Sequence, residues 1–269
     1  MNLFILLVLI LSALFVIELI IENVFLLDIR HENLGGDLKI FHISDLHKRN
    51  NKRYNDKIIN AAKKESPDII FITGDLVSRT ETDFSPSFSL LTELCRIAPV
   101  YMCMGNHEQS LPEPEFEKFS AMIKKTAVKL LVNSGVTAVI KGKKYYICGV
   151  EFNYSVYKKD ESYRDLDKPD LAEMERLLGA KPDEKTLLLA HNPLFAEVYS
   201  SWGADLTFSG HVHGGVVRLF GHGLLSPERK FLPEFSKGIY EISGNLLLVS
   251  AGIGKLRLFD PPEITTYLV

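Results

Sequence analysis

The chain has 269 residues, 46% hydrophobic and 24% charged, with a formal net charge of −3 and a pI near 6.3. That length accommodates one large domain or two small ones, with apolar content enough for a sizeable core. The slightly acidic balance excludes the basic footprint of a general nucleic-acid binder, so no nucleic-acid partner is expected.

Residues 1–22 open the chain with an apolar run. Leu3 to Ile17 carries no charge, and Glu18 is the only one before Glu22. A helix needs about 20 such residues to cross a bilayer. Residues 1–22 are therefore expected to form one transmembrane helix, an uncleaved single-pass anchor, with residues 23–269 as the domain it carries. A signal peptide is the first alternative, but no Lys or Arg precedes the run and no Ala-x-Ala-like site follows it. A buried N-terminal helix is the second. Arg30, Lys39, Lys48 and Arg49 follow the segment and none precedes it, which leans toward a cytoplasmic domain by the positive-inside tendency.

Val24 to Ile29 reads as a first strand. Gly35-Gly36 turns the chain into a second, Leu38 to Ile43, which ends in Ser44-Asp45-Leu46-His47. The basic cluster from Lys48 to Arg53 reads as a solvated loop. Tyr54 to Lys64 has helical spacing with Ile58, Ile59, Ala61 and Ala62 on one side, and Pro67 stops it. A third strand, Asp68 to Thr73, ends in Gly74-Asp75. A helix over Ser87 to Arg96 leads to the strand Val100 to Met104, which ends in Gly105-Asn106-His107-Glu108. This is the βαβ rhythm of an α/β protein, in which functional groups gather at the carboxyl ends of the strands.

The middle changes character. Pro112 to Lys125 reads as a helix entered through proline and glutamate. Val128 to Val150 alternates, with turns at 133–135 and 141–143, and reads as antiparallel hairpins. Asn153 to Lys168 is charged and aromatic without a period, so it reads as a loop. A short helix over Leu171 to Leu178 precedes the strand Thr186 to Ala190, which ends in His191-Asn192-Pro193. A helix near Phe195 to Ser200 and a run over Ala204 to Phe208 lead into Ser209-Gly210-His211-Val212-His213-Gly214-Gly215. The tail, Gly238 to Ser250 and Glu263 to Leu268, is strand-like, and is read with the middle as a second sheet. Cys95, Cys103 and Cys148 form neither a metal-type pair nor a disulfide framework, and read as buried free thiols.

The residues at strand ends are Asp45, His47, Asp75, Asn106, His107, His191, His211 and His213. Taken singly, Asp-x-His could be a helix cap, Gly-Asp a turn, and Gly-Asn-His a left-handed turn. Taken together, in loops converging on one face, they are carboxylate, amide and imidazole donors without thiolates. That set suits divalent ions such as Mn²⁺, Fe or Zn²⁺.

The order Asp45-x-His47, Gly74-Asp75, Gly105-Asn106-His107-Glu108, His191, Gly210-His211-x-His213 resembles the calcineurin-like metallophosphoesterase superfamily. The tail, with Gly252-Ile253-Gly254, Arg257-Leu258-Phe259 and Pro261-Pro262-Glu263-Ile264, is similar to its membrane-associated branch of bacterial phosphodiesterases and UDP-2,3-diacylglucosamine pyrophosphate hydrolases. The resemblance implies a four-layer αββα sandwich of two mixed β-sheets flanked by helices. It also implies two divalent metal ions, the first held by Asp45, His47 and His213, the second by Asn106, His191 and His211, with Asp75 bridging. His107 would face the scissile phosphate as proton donor or charge stabiliser, so His107 and Asp75 are the expected catalytic residues. The two ions would clamp phosphoryl oxygens and lower the pKa of a bridging water, so that a bridging hydroxide attacks. Many relatives carry an acidic residue where Ser78 stands and a glutamine where Val216 stands.

The implied activity is hydrolysis of a phosphodiester or pyrophosphate bond, with a phosphate-ester substrate that is lipid-linked in one version of the reading. A phosphomonoesterase or nucleotidase of the same superfamily, or a membrane scaffold without catalysis, are the alternatives. Leu219 to Phe235, with Arg229 and Lys230 embedded, reads either as an apolar, cationic lip for an acyl-bearing substrate or as a packed loop.

Overall fold

The computed structural model describes residues 3–269 except 161, 164, 216, 226–230 and 255–256. Two six-stranded mixed sheets stack face to face between helices, so the expected four-layer αββα arrangement is what the chain forms. The first sheet runs β1 (Asp28–Asn33), β14 (Glu263–Leu268), β2 (Lys39–Ile43), β3 (Ile69–Thr73), β4 (Val100–Cys103), β5 (Lys129–Leu130). Its strands β2 to β5 are parallel, and β14 is antiparallel to β2. The second sheet runs β12 (Gly238–Ile242), β13 (Asn245–Val249), β9 (Leu206–Ser209), β8 (Lys185–Ala190), β7 (Lys143–Val150), β6 (Ser134–Ile140). There β13, β9, β8 and β7 are parallel, with antiparallel hairpin partners at both edges.

The central strands carry apolar residues on both faces because both are covered. Alternation along each strand divides them between layers. Ile69 and Phe71 of β3 meet Leu187, Leu189 and Phe208 between the sheets. Ile70 and Ile72 turn the other way, onto Ile58 of α2 (Lys52–Glu65), Leu91 of α3 (Ser85–Ile97) and Phe119 of α5 (Glu113–Ile123). Leu188 and Ala190 pack outward on Met174 of α6 (Leu171–Leu178) and Trp202 of α7 (Ala196–Trp202).

Several expectations are corrected. The first strand lies at Asp28–Asn33, not at Val24 to Ile29, because apolar Val24 and Phe25 continue the N-terminal helix through a wider turn over Ile21–Phe25. What pairs instead is a polar, half-exposed edge segment. Glu263–Leu268 belongs to the first sheet, wedged between β1 and β2, rather than to a second sheet with the rest of the tail. In the middle, Lys129–Leu130 extends the first sheet in parallel with β4, so 128–150 holds one hairpin, β6–β7. Lys48 to Arg53 is not simply a solvated loop: Arg49 is buried, and Asn51 caps α2 by accepting from the Tyr54 N–H at 3.2 Å. Cys103 and Cys148 are buried free thiols, whereas Cys95 is only half-buried.

The N-terminal helix α1 (Leu3–Ile20) has no buried residue along its described length. With its continuation it forms one apolar helix, Leu3–Phe25, long enough to cross a membrane. Its exposure excludes the buried core helix; a signal segment has the same length and composition.

Candidate metal centre

The loops that leave the carboxyl ends of β2, β3, β4, β8 and β9 converge on the floor of one cleft. All the expected site residues meet there. His47 Nε2 lies 3.8 Å from Asp45 Oδ1, and His213 Nε2 lies 3.4 Å from the same oxygen. His47 Nε2 and His191 Nε2 lie 3.5 and 3.4 Å from Asp75 Oδ2. Asn106 Oδ1 is 3.1 Å and His211 Nδ1 is 3.2 Å from His191 Nε2. Two groups of donors result, Asp45, His47 and His213 on one side and Asp75, His191 and His211 on the other. Asp75 also faces His47 and His107, so its carboxylate stands between the groups.

The backbone is strained to bring this about. Asp45, His47, Asp75, His211 and His213 all have positive φ, between 47° and 69°. Side-chain-bearing residues avoid that region at a cost of order 1–3 kcal/mol each, and such outliers cluster at functional sites. Two glycines admit the close approaches. A Cβ on Gly105 would stand 2.2 Å from Asp75 Oδ1, and one on Gly210 would stand 1.8 Å from Ser44 Oγ and 2.4 Å from Asp45 Oδ2.

Each carboxylate is held mainly through one oxygen and turns the other toward the imidazoles, with Asp45 Oδ1 also accepting from the His211 N–H at 3.2 Å. Asp45 Oδ2 accepts from Ser44 Oγ (2.7 Å) and the His211 N–H (3.0 Å). Asp75 Oδ1 accepts from the His107 N–H at 2.8 Å. Burial alone would raise the Asp75 pKa, but the His191 and His47 rings outweigh it and hold the group well below the usual carboxylate range. His191 is fixed from behind: Nδ1 lies 2.7 Å from the Thr73 carbonyl, which requires an N–H there and leaves Nε2 for the cleft. Burial opposes its protonation, yet Asp75 pushes its pKa up to about 10.

The chemistry of these donors fits divalent metal binding. His47 Nε2 and His213 Nε2 face each other at 3.3 Å. At most one proton fits between them, so at least one lone pair converges on the Asp45 oxygen. Burial, and then the neighbouring His47 and Arg257 charges, hold His213 well below its ordinary pKa and therefore neutral, as a ligand must be.

Glu108, on the short helix α4 (Asn106–Gln109), holds the loops together. It is fully buried and accepts from three backbone N–H groups, Asp75 (2.8 Å), Val77 (3.0 Å) and Gly105 (2.8 Å). Burial and then the Asp75 charge push its pKa up to about 7 against those three donors. Glu108→Ala should lower stability by roughly 3–5 kcal/mol, because three buried donors lose their acceptor at about 1–3 kcal/mol each. Glu108→Gln should recover about half of that by keeping the shape and one acceptor. Urea unfolding midpoints of the three proteins check this, and a Glu108→Ala midpoint equal to wild type would refute the bracing role.

The cleft is also lined by residues that sequence reasoning did not select: Arg79, Tyr154, Tyr157, Lys158 and Tyr163. The Arg79 N–H lies 3.2 Å from His107 Nδ1, and its guanidinium Nη2 lies 3.0 Å from His107 Nε2. A neutral ring accepts only one of the two. Burial, then the positive charges of His47, Arg79 and His191, overcome the opposing Asp75 and lower the His107 pKa to about 3. The tyrosines come from the 153–168 loop, and the Tyr157 ring centroid is 5.1 Å from that of His211. Only the aromatic content of that loop could have signalled it. Ser78 is buried, with its hydroxyl 3.5 Å from that of Thr80. Val216, Arg229 and Lys230 lie outside the described residues. Of the suspected lip, Leu219, Phe220, Phe231 and Leu232 are exposed rather than packed, whereas Phe235 is buried.

Comparison with known proteins agrees with this geometry. The chain is 29% identical to a Campylobacter jejuni metallophosphoesterase over 95% of its own length and 70% of that protein. It is 25% identical to the Escherichia coli phosphodiesterase YaeI, covering 75% of this chain and 70% of the relative. With the Chlamydia muridarum UDP-2,3-diacylglucosamine pyrophosphatase LpxG it shares 23% identity over 84% and 82% of the two chains. The solved structure of TT1561 from Thermus thermophilus matches the fold with a TM-score of 0.52 at 13% identity, over 82% of this chain and 90% of that one. Residues 38–215, which carry the Asp45-x-His47 loop through the His211–His213 loop, match the family model for calcineurin-like phosphoesterases, and the chain belongs to that family.

Proposed function

We propose that this chain is a membrane-anchored, dinuclear metal-dependent phosphoesterase that hydrolyses a phosphodiester or pyrophosphate bond. The observation that carries the reading is the pair of donor groups meeting at Asp75 on the floor of the cleft. Asp45, His47 and His213 would hold one ion, Asn106, His191 and His211 the other, and Asp75 both. When bound, such ions neutralise phosphoryl oxygens and lower the pKa of water toward neutrality. The protein's own part is positional. Thr73 fixes the His191 tautomer, the His211 and His107 amides orient Asp45 and Asp75, and Glu108 locks two of the loops. His107 and Arg79 stand beside Asp75, where they would meet a phosphoryl group, and the tyrosine wall would hold the ester's remaining part.

Residues 1–22 serve as the anchor in this reading, and 23–269 as the catalytic domain. The apolar helix supports it, as do the basic residues that follow, which favour a cytoplasmic domain. A lipid-linked substrate is supported by the anchor and by the similarity to a protein named as a diacylglucosamine pyrophosphatase.

The test is a substrate screen on purified full-length protein in detergent. Phosphodiester or lipid pyrophosphate turnover should disappear with a chelator and return with Mn²⁺, Fe²⁺ or Zn²⁺. Turnover confined to monoesters would move the chain to the phosphomonoesterase reading. Negligible bound metal with no turnover after Mn²⁺ addition would make it a scaffold.

A further inference from the structure

Outside residues 3–26, the large apolar side chains exposed among the described residues gather chiefly after the His211–His213 loop. Phe220 is 99% exposed, Phe231 73% and Leu232 55%, and Leu219, Leu225 and Phe259 are exposed as well; Leu225 bridges to Phe231, and Val217 to Leu258, the neighbour of Phe259. Monomeric soluble surfaces seldom leave such side chains grouped unless something covers them. The short hairpin of β10 (Arg218–Leu219) and β11 (His222–Gly223) carries Phe220 at its turn.

What covers them follows from how they are joined to the helix. The hairpin base pairs with the next segment, Arg218 N–H donating to the Leu258 carbonyl at 3.0 Å. That segment is bound to the end of the apolar helix. Buried Glu22 accepts from the Phe259 N–H at 2.9 Å and from the Asp260 N–H. The Asn23 side chain donates to the Arg257 carbonyl at 2.7 Å and accepts from the Arg257 N–H at 3.0 Å. Cations ring the same point. Lys57 Nζ donates to the Phe25 carbonyl at 2.8 Å, and the Arg53 guanidinium lies over the Phe25 ring, 5.4 Å from its centroid. Apolar side chains beside a membrane helix, flanked by Lys and Arg, match a surface that dips into the headgroup region of an anionic leaflet.

From this continuity we infer that the β10–β11 hairpin, with Phe220 at its turn, together with Phe231, Leu232 and Phe259, forms a second, interfacial contact with an anionic lipid bilayer, alongside the helix. The inference rests on the anchor reading above. It brings the His211–His213 loop to the bilayer surface, since the hairpin leaves directly from that loop and Arg257 Nη1 donates to the His213 carbonyl at 3.3 Å.

The test uses the full chain in nanodiscs containing anionic lipid, with or without bromine along the acyl chains. The chain's single tryptophan, Trp202, is buried and supplies a constant background. Single variants Phe220→Trp, Phe231→Trp, Phe15→Trp within the helix, and Val139→Trp on an exposed site of the β6–β7 hairpin are compared. Emission from Trp at 220 and 231 should fall with bromination, as at 15, and at 139 should not change. Quenching at 15 with none at 220 or 231 overturns the surface contact alone. Quenching at none of the three overturns the anchor reading and the contact with it. Shielding of Trp at 220 that ignores bromination and requires two copies per disc assigns the hairpin to a second copy and also overturns the proposal.

Discussion

Asp75→Asn should leave the fold intact, reduce bound metal to at most one ion per chain, and lower turnover by at least about 10³-fold. The substitution keeps the side chain's shape and removes its charge. Asp75 Oδ2 lies 3.4–3.5 Å from His191 and His47 Nε2, one imidazole from each side of the proposed pair. An anion there offsets the mutual repulsion of two cations. At an effective dielectric of about 20, opposite unit charges 4 Å apart attract by about 4 kcal/mol, and divalent ions by about twice that. Every 1.4 kcal/mol is about tenfold in affinity, so several orders of magnitude follow from losing the charge alone. Metal analysis after gel filtration reads the first effect and diester hydrolysis the second. The metal-free variant should stay folded but unfold at a lower urea concentration than wild type, because removing one partner of the buried Asp75–His191 pair leaves the other uncompensated, at a cost of about 3–5 kcal/mol. Two ions and normal turnover in Asp75→Asn would refute the bridging role.

The candidate centre was legible because its residues sit where α/β chains put function, at the ends of strands that the apolar runs make plain. Asp45, Asp75, Asn106 and His191 each follow a run of four or more buried strand residues. The supporting residues were not legible in the same way. Arg79 reaches His107 only because the two loops fold toward each other, across 28 positions of sequence. The Tyr154–Tyr163 wall has no periodicity, since a loop is placed by what it packs on rather than by its own repeat. The edges failed for a related reason. β1 is held by one neighbour, β14, whose partnership spans nearly the whole chain, from Asp28 against Glu263 to Asn33 against Leu268. Local apolar content favoured Val24 to Ile29, but helix continuity and that distant partner decided the matter. Glu22 and Asn23 likewise look like the polar end of an anchor, and their bonds to 257–260 come only with the fold.

His107→Ala should lower kcat by about 10²–10⁴-fold, the range for a positioned proton donor or charge stabiliser, while metal content stays at the wild-type level. His107 Nε2 is 4.0 Å from Asp75 Oδ2, and the ring is held by Arg79 rather than tied into either donor group. Retained metal separates this variant from Asp75→Asn. The leaving group then separates the two roles. If His107 protonates the departing oxygen, the loss should be small with p-nitrophenolate, which needs little help, and grow steeply with an alkoxide. If it stabilises charge on the phosphoryl oxygens, the loss should be nearly the same for both. The geometry favours the second pattern. Burial and the surrounding cations bring the His107 pKa down to about 3, so near neutral pH the ring is neutral. A neutral ring still donates one hydrogen bond, and Arg79 beside it brings a permanent positive charge to the same spot. Arg79→Ala should accordingly reproduce part of the His107→Ala defect, and the double variant should lose less than the product of the two. Full additivity would mean that the two side chains act on different parts of the substrate.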